Sequence, residues 1–487
     1  EWGAEVELFL YGAPDTLPPD AATNHARWAA MGEVKQLDEA IFKAPHPVQG
    51  DAPADLYIDA VFGTGLSRPL QGEAWNVLTY MAGRNGQNLV ARTVAVDAPS
   101  GLCLDSGRVL GSPAPGLHKG GQAQAALTVT FDSPKIGHFI AMGPHVCGKL
   151  VVRDIGLGDW RRTVPLRGGR TRLMRRGGAG RMVRFPTTTL VTPSVLVPDE
   201  RIERERLRWR SPLKEAVRAH KYAHGHTLVL SGGAGRTGAA RLAARGALRI
   251  GAGLVTLGVP ESAAAEVAPS LTAIMQREVD GGDQFATLLE DTRINALCLG
   301  PGLGGARANA LVKTALEARR PTVLDADALR CLVEDDEALM DLLHPDCVLT
   351  PHGGEFAALF PDLALRLSQP ALEGPGYSKV DATREAAERA GCVVLFKGPD
   401  TVIADPRGII GVSAGYYERA APWLATAGAG DVLSGFIAGL LSRGFTPLQA
   451  ASTAAWLHVE CAITFGPGLI AEDLPEILPT VLAGLDG

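Results

Sequence analysis

The chain has 487 residues, 46% hydrophobic and 21% charged, with a formal net charge of -6. It is long enough for at least two domains and apolar enough for large cores, and its charge gives no reason to expect a nucleic-acid partner. Its seven cysteines include no CxxC pair, which excludes an evident zinc site or disulfide framework and points to a reducing cytoplasm, and no stretch is long and apolar enough to span a membrane.

The opening Glu1-Trp2-Gly3-Ala4 reads as the tail of a helix running into a strand over 6–10, so the chain is expected to begin inside a domain. Helices are predicted over 21–31 and 72–83, and strands over 56–62, 93–96, 127–131 and 150–155. Several strands end directly in glycine- or acid-bearing loops, where α/β folds place their ligands. From about 158 to 210 the periodicity is lost. Arginine pairs, prolines and a threonine run read there as a linker, with a basic RNA- or membrane-binding patch as the weaker alternative.

From His220 the α/β rhythm returns. Strands are predicted over 227–231, 254–259, 296–299, 322–325, 347–349 and 393–396, with a helix over 239–250 and a hairpin from 401–404 and 409–412. The glycine-rich loop 232–238 lacks Gly-Lys-Ser/Thr and is no P-loop.

The run Thr426-Ala427-Gly428-Ala429-Gly430-Asp431 precedes an apolar helix over 432–441. Small residues there expose backbone N–H groups at a helix start, an arrangement that favours anions. An aspartate at that mouth makes sense as a base facing a substrate hydroxyl while amides hold a transferred phosphoryl group; an N-capping turn is the plainer reading. Four more loops follow buried strands: 300–304, 324–328, 350–355 and 397–401. Each alone could be a turn, a cap, a surface histidine or an exposed lysine, but their recurrence at strand ends favours one shared cleft.

In the first half, Asp59 and the segment Gly63-Thr64-Gly65-Leu66-Ser67-Arg68-Pro69 close one strand, and Asp97-Ala98-Pro99-Ser100 closes the next. Carboxylates and a hydroxyl at adjacent strand ends suit a hard monovalent cation and a polar ligand, or equally helix caps. The loop after Thr130, with Lys135 and His138, is basic and phosphate-compatible.

The motifs of residues 220–487 together resemble the ribokinase-like superfamily and, within it, the NAD(P)H-hydrate dehydratases. The resemblance implies dehydration of hydrated NADH and NADPH driven by ADP or ATP with Mg²⁺. It implies Asp431 as the catalytic base, an anion hole of Gly428, Ala429 and Gly430, and substrate contacts from Gly238, Ala239, Gly304 and His352. Lys397, Gly398, Pro399, Asp400, Thr401 and Gly430 would bind the nucleotide. A small-molecule kinase with a non-catalytic ligand-binding first half is the alternative.

The motifs of 1–157 resemble the YjeF N-terminal family of NAD(P)H-hydrate epimerases. That implies potassium at Asp59 and Ser100, substrate along Gly63–Pro69, and Asp97 as substrate-contacting acid–base group. The family's Asn-Asn-Gly-Gly-Asp-Gly loop is absent, which implies weak epimerisation barely responsive to potassium. The expected architecture is two three-layer α/β/α domains, Rossmann-like over 1–157 and ribokinase-like over 213–487, joined by a linker over 158–212. The expected enzyme is a cytoplasmic homo-oligomer.

Overall fold

The computed structural model describes residues 3–37, 54–82, 89–112, 123–156, 163–166, 170–173, 188–191, 213–214, 220–334 and 339–485. The chain divides into two compact units, Glu1–Leu157 with Ser368–Ser378, and Gly158–Leu367 with Lys379–Gly487.

In the first unit, strands β1 (Leu8–Leu10) and β2 (Val34–Gln36) form a parallel pair. Strands β3 (Tyr57–Asp59), β4 (Thr93–Val96), β5 (Leu127–Phe131) and β6 (Lys149–Arg153) form a parallel sheet in that order. The helices predicted over 21–31 and 72–83 are Pro19–Ala29 and Gly72–Met81, while residue 83 lies outside the described residues. The second helix buries Ala74, Val77, Leu78 and Met81 in a cluster with Leu66, Leu70, Leu110 and Ala371. The strand predicted over 56–62 stops at Asp59, where the carboxylate accepts the Val61 amide at 3.4 Å and turns the chain.

The second unit contains strands β7 (Thr163–Leu166) and β8 (Arg170–Leu173), paired antiparallel with each other, and β9 (Thr188–Leu190). It is built on β10 (His226–Leu230), β11 (Leu254–Val259), β12 (Met275–Glu278), β13 (Ala296–Leu299), β14 (Thr322–Leu324), β15 (Cys347–Leu349), β16 (Val393–Phe396), β17 (Asp400–Ala404) and β18 (Ile410–Ala414). Its sheet runs in the order β12-β11-β10-β13-β14-β15-β16-β17-β18-β9. Strands from β12 to β16 are parallel, and the β17–β18 hairpin adds the antiparallel part. Val229, Val255, Leu257, Cys298, Val323, Val348 and Leu395 share one core with helices Gly238–Arg249, Ala429–Ser442, Pro447–Phe465 and Asp473–Ala483. The alternating residues Leu228, Leu230, Leu297, Leu299, Leu324 and Leu349 are just as buried, so both sheet faces are covered. Parallel sheets need this, and it is why these strands read as continuous apolar runs.

Two expectations change. Residues 158–212 are not all linker: β9 pairs in parallel with Ile410–Val412, and Val191 donates its N–H to Val412 O at 2.9 Å with its side chain 1% exposed. An edge strand of three residues is too short to show a period, so composition alone concealed it. Residues 158–162, 167–169, 174–187 and 192–212 of that stretch lie outside the described residues. In addition, Ser368–Ser378, expected within the second domain, groups with the first unit.

Candidate functional site

In the second unit the strand order reverses at β10, which lies between β11 and β13. Ligands of open α/β sheets sit at such a switch point, beyond the carboxyl ends of the strands. The loops that follow β10 and β13 touch there: a Cβ on Gly232 would lie 2.0 Å from Gly302 O. Gly238 opens helix Gly238–Arg249, with Ala239 next in its first turn, and Ala239 Cβ lies 3.3 Å from where a Gly302 side chain would begin. Gly304 caps helix Gly305–Glu317 and donates its N–H to Asp327 Oδ2 at 2.8 Å. The expected substrate contacts Gly238, Ala239 and Gly304 therefore stand in or beside two adjacent loops at the ends of β10 and β13.

The ends of β14, β15 and β16 continue the same edge. Asp325, 2% exposed, follows β14; its Oδ1 accepts Lys397 Nζ at 2.7 Å and its Oδ2 accepts the Ser434 hydroxyl at 2.7 Å. Lys397, just past β16, also stands 3.9 Å from Glu355 Oε2. His352, past β15, caps helix Gly353–Leu359: its Nδ1 accepts the amides of Gly354 and Glu355 at 3.0 and 3.2 Å, and Glu355 returns a bond to the His352 amide at 2.8 Å. With Nδ1 occupied as an acceptor, the neutral ring carries its proton on Nε2, which lies 3.5 Å from Glu355 Oε1 on a side chain 60% exposed.

Helix Ala429–Ser442 starts three residues earlier than the apolar run suggested, because Gly428 adopts φ 88°, ψ -18° and turns the chain into it. A side chain at 428 would also strike Leu242 and Ala471 at 2.7 and 2.8 Å. No side chain caps this helix: the Ala429 amide donates to Thr426 O at 3.4 Å, while the amides of Gly430 and Asp431 fall in the first turn, where no intrahelical i-4 partner is available. A Cβ on Gly430 would lie 3.6 Å from Lys397 Nζ, which places the start of this helix beside that cation. Burial and the nearby Asp325 charge raise the Asp431 carboxyl to about 6, with Lys397 pulling the other way. A carboxylate at that value is ionised at neutral pH yet basic enough to take a proton. Behind it, buried His458 donates Nε2–H to Ala429 O at 2.8 Å; burial holds it down to about 4, hence neutral.

The expected nucleotide loop is only partly free. Lys379 Nζ bonds Asp400 Oδ1 at 2.7 Å and Lys397 O at 3.2 Å while lying 4.4 Å above the Phe396 ring. The Asp400 side chain thus shapes the loop from within, and Thr401 Oγ1 closes it by donating to Gly398 O at 2.7 Å. The chain continues through Pro399, whose carbonyl accepts the Gly415 amide at 2.7 Å.

In the first unit, Asp59 and Ser100 meet across β3 and β4. Asp59 Oδ1 accepts the Ser100 hydroxyl at 2.6 Å and Oδ2 the Ser100 amide at 2.7 Å, while Ser100 Oγ accepts the Phe62 amide at 2.9 Å. Burial raises the Asp59 carboxyl, and the bonds from Ser100 and the Val61 amide oppose it. Asp97 is held at φ 69°, with Oδ1 accepting Thr130 Oγ1 at 2.7 Å and Lys135 Nζ at 2.8 Å, and Oδ2 accepting the Thr64 amide at 3.1 Å. Burial works to raise it, but Lys135, Thr130 and Thr64 together leave it below the ordinary carboxylate value. Buried His138 receives the Lys135 amide on Nδ1 at 3.0 Å and so donates Nε2–H to Asp97 O at 2.9 Å. Thr64 and Gly65 are exposed just before the buried anchor Leu66, and Ser67 and Arg68 are exposed between it and the second buried anchor Leu70, with Pro69 half-buried.

The NAD(P)H-hydrate dehydratase family matches residues 227–478 and the YjeF-related N-terminal family residues 1–137. A bifunctional NAD(P)H-hydrate repair enzyme Nnr from Moorella thermoacetica is 34% identical, covering 99% of this chain and 83% of its own length. This chain belongs to the bifunctional NAD(P)H-hydrate repair enzymes. The fold of the repair enzyme's second unit is similar to a ribokinase-like superfamily protein from Enterococcus faecalis V583, at 19% identity and a TM-score of 0.50 over 63% of this chain and 99% of that one. An ADP/ATP-dependent NAD(P)H-hydrate dehydratase from Bacillus subtilis, co-crystallised with ATP/Mg²⁺, is 29% identical, with a TM-score of 0.46 over 56% of this chain and 94% of its own.

Several residues packed around the candidate site residues had no sequence signal pointing to them. Lys379 stands in an ordinary amphipathic helix, His458 inside an apolar one, and only the fold brings them to Asp400 and Ala429. Ser434 carried a weak signal: it follows Asp431 by three residues, the spacing that places two side chains on one helix face.

Proposed function

We propose that the second unit converts the S hydrate of NADH or NADPH back to NAD(P)H at the expense of ADP or ATP, with Asp431 as the base. Family membership carries repair of hydrated NAD(P)H; the Asp431 carboxyl near 6 at an open helix start carries the assignment of the base. In this reading Asp431 accepts the proton of the C6 hydroxyl as that oxygen takes the terminal phosphoryl group and the nucleotide's bridging P–O bond breaks. The amides of Gly428, Ala429 and Gly430 with Lys397 hold the phosphoryl oxygens. Loss of phosphate from C6 and a proton from C5 restores the ring double bond. Gly238, Ala239, Gly304 and His352 orient the hydrated ring and its ribose, and Lys397, Gly398, Pro399, Asp400, Thr401 and Gly430 hold the nucleotide. No group of three or more His, Cys, Asp or Glu side chains suited to a metal ion occurs among the described residues. This fits Mg²⁺ held mainly by the nucleotide's phosphates, whose charge it would neutralise.

For the first unit the reading is interconversion of the R and S hydrates. Asp97, ionised and fixed by Lys135 and Thr130, faces the loop 63–69 and moves the substrate proton. Among the described residues no cationic side chain pairs with the buried Asp59 carboxylate; it is joined to Ser100 Oγ, which lies 3.3 Å from the Phe62 carbonyl, and this oxygen set suits potassium, which would supply the missing positive charge. We divide the enzyme into an epimerase domain over 1–157 completed by Ser368–Ser378, and a dehydratase domain over the remainder of 213–487. Homo-oligomeric assembly and a reducing, cytoplasmic setting complete the reading; the latter is supported by seven free, buried cysteines. No helix among the described residues is long and apolar enough to cross a membrane.

The test is to incubate the full chain with S-hydrated NADH, Mg²⁺ and either nucleotide and follow recovery of NADH absorbance. Accumulation of a stable phosphorylated product without NADH would overturn the reading.

A further inference from the structure

The segment Ser368–Ser378 is read from far along the chain, yet it completes the first unit. It lies against two loops of that unit's site. Gly374 donates its N–H to Ser67 O at 2.9 Å, in the middle of the exposed loop 63–69. Gly111 N–H donates to Ala371 O at 2.8 Å, and Ala371 is buried in the cluster that contains the loop anchors Leu66 and Leu70. Arg108 is 6% exposed, and its guanidinium donates to Tyr377 O at 3.1 Å and to Gln369 O. Arg108 stands in a tight reversal that follows Ser100 directly: Cys103 N–H bonds Arg108 O and Leu110 N–H bonds Gly101 O. The fit leaves no slack, since a Cβ on Gly374 would lie 2.6 Å from Leu66 O and one on Gly376 would lie 3.2 Å from Ser106 Oγ.

A buried guanidinium that spends its donors on two carbonyls of one strap is an expensive contact unless the strap stays in place. The loop it steadies has little support of its own. Between Leu66 and Leu70 its residues are largely exposed, and its other ties are the Thr64 amide to Asp97 Oδ2 and the Leu66 amide to Gly63 O at 3.2 Å.

We propose that the strap Ser368–Ser378, pinned by Arg108, holds the substrate loop 63–69 in its working shape, so that Arg108 and Gly374 are positioning residues for the first unit's reaction. This rests on the reading of that loop as the place where the hydrated cofactor binds for epimerisation. Because the strap continues into residues 361–367 and 379–390 of the second unit, the first unit's site depends on chain that lies outside the first 157 residues.

The experiment uses the full chain with Arg108→Ala and, separately, Gly374→Ala, which crowds the loop without touching the buried charge. Amide hydrogen exchange at 64–66 should accelerate about 10- to 100-fold in both variants, while the β4 and β5 amides keep their protection. By NMR exchange between the hydrates, KM should rise on the order of 10-fold with kcat changed about 2-fold or less, since the loop binds and Asp97 performs the chemistry. Arg108→Lys should fall between, because an ammonium cannot span both carbonyls as the planar fork does. NADH recovery by the second unit should be unchanged. Unaltered exchange at 64–66 and unaltered KM in both variants would overturn the proposal, as would loss of β4 and β5 protection in both, which would make the strap a support of the whole unit. If the unsubstituted chain does not interconvert the hydrates, the epimerase reading fails, and the exchange rates at 64–66 alone decide the role of the strap.

Discussion

Lys397 Nζ sits 2.7 Å from Asp325 Oδ1, and the same cation opposes the upward shift of the Asp431 carboxyl. One lysine therefore pairs a buried acid and lowers the Asp431 carboxyl beside it. Replacing Lys397 with Met leaves Asp325, 2% exposed, without its partner. Breaking a buried pair from one side commonly costs about 3–5 kcal/mol. Chemical denaturation should show a loss of that order. In whatever protein remains folded, the pH at which dehydration is half-maximal should move above its original position near 6. An unchanged pH profile would show that Lys397 does not act on Asp431.

Asp431→Asn should lower the dehydration rate by on the order of 10²–10⁴-fold and leave nucleotide affinity nearly intact, since the proposed reading assigns phosphate binding to backbone amides and Lys397. It should also stabilise the fold, with a defined pH dependence. The folded carboxyl titrates near 6 against an ordinary value of 3.8, so folding favours its protonated form. The penalty for ionising it is absent below about pH 4, grows as pH rises, and is complete above about pH 6. Solvent screening of a half-buried group reduces the gain from Asn to about 1–2 kcal/mol at pH 8. Melting curves at about pH 3.5 and pH 8 check the sign: equal shifts at both would refute it.

His352 has two roles that can be separated. Its Nδ1 caps helix Gly353–Leu359, and its exposed Nε2 edge is assigned to the hydrated cofactor. Asn is a good N-cap, so His352→Asn should keep stability while raising KM for hydrated NADH. His352→Ala should raise KM and also lose about 1 kcal/mol of stability. Calorimetric titration with ADP should show little change in either variant, and a comparable loss of ADP affinity would place the histidine in the nucleotide subsite instead.

Deleting residues 158–187 and deleting residues 158–191 should have different consequences. The shorter deletion spares β9, so NADH recovery should persist. The longer one removes β9 together with Val191, bares the backbone of Ile410–Val412, and empties a position in the core against Gly411. Loss of a buried aliphatic side chain and an edge strand should cost at least about 2 kcal/mol and promote association through the exposed strand. Size-exclusion chromatography and thermal melts of the two deletions settle it; identical behaviour would make β9 dispensable.

Much of this protein was legible along the chain. The continuous apolar runs of β10, β13, β14 and β15 marked strands buried on both faces, and the acids and glycines that follow them marked one edge of the sheet as the candidate site, because side-chain period and strand polarity are local properties. The Gly428-Ala429-Gly430-Asp431 turn was equally readable, since a helix start with no bulky side chains exposes its amides wherever it occurs. Other features came only with the fold. The value of Asp431 depends on burial and on Asp325 and Lys397, which lie 106 and 34 residues away in sequence and share no local pattern with it. The three-residue strand β9 had too few side chains to show a period, and its place was decided by the open edge of β18. The strap Ser368–Ser378 joins the first unit through backbone carbonyls and a single buried arginine, 261 and 269 residues apart from their partners. Backbone groups carry no sequence identity, so contacts made by them leave no motif to read.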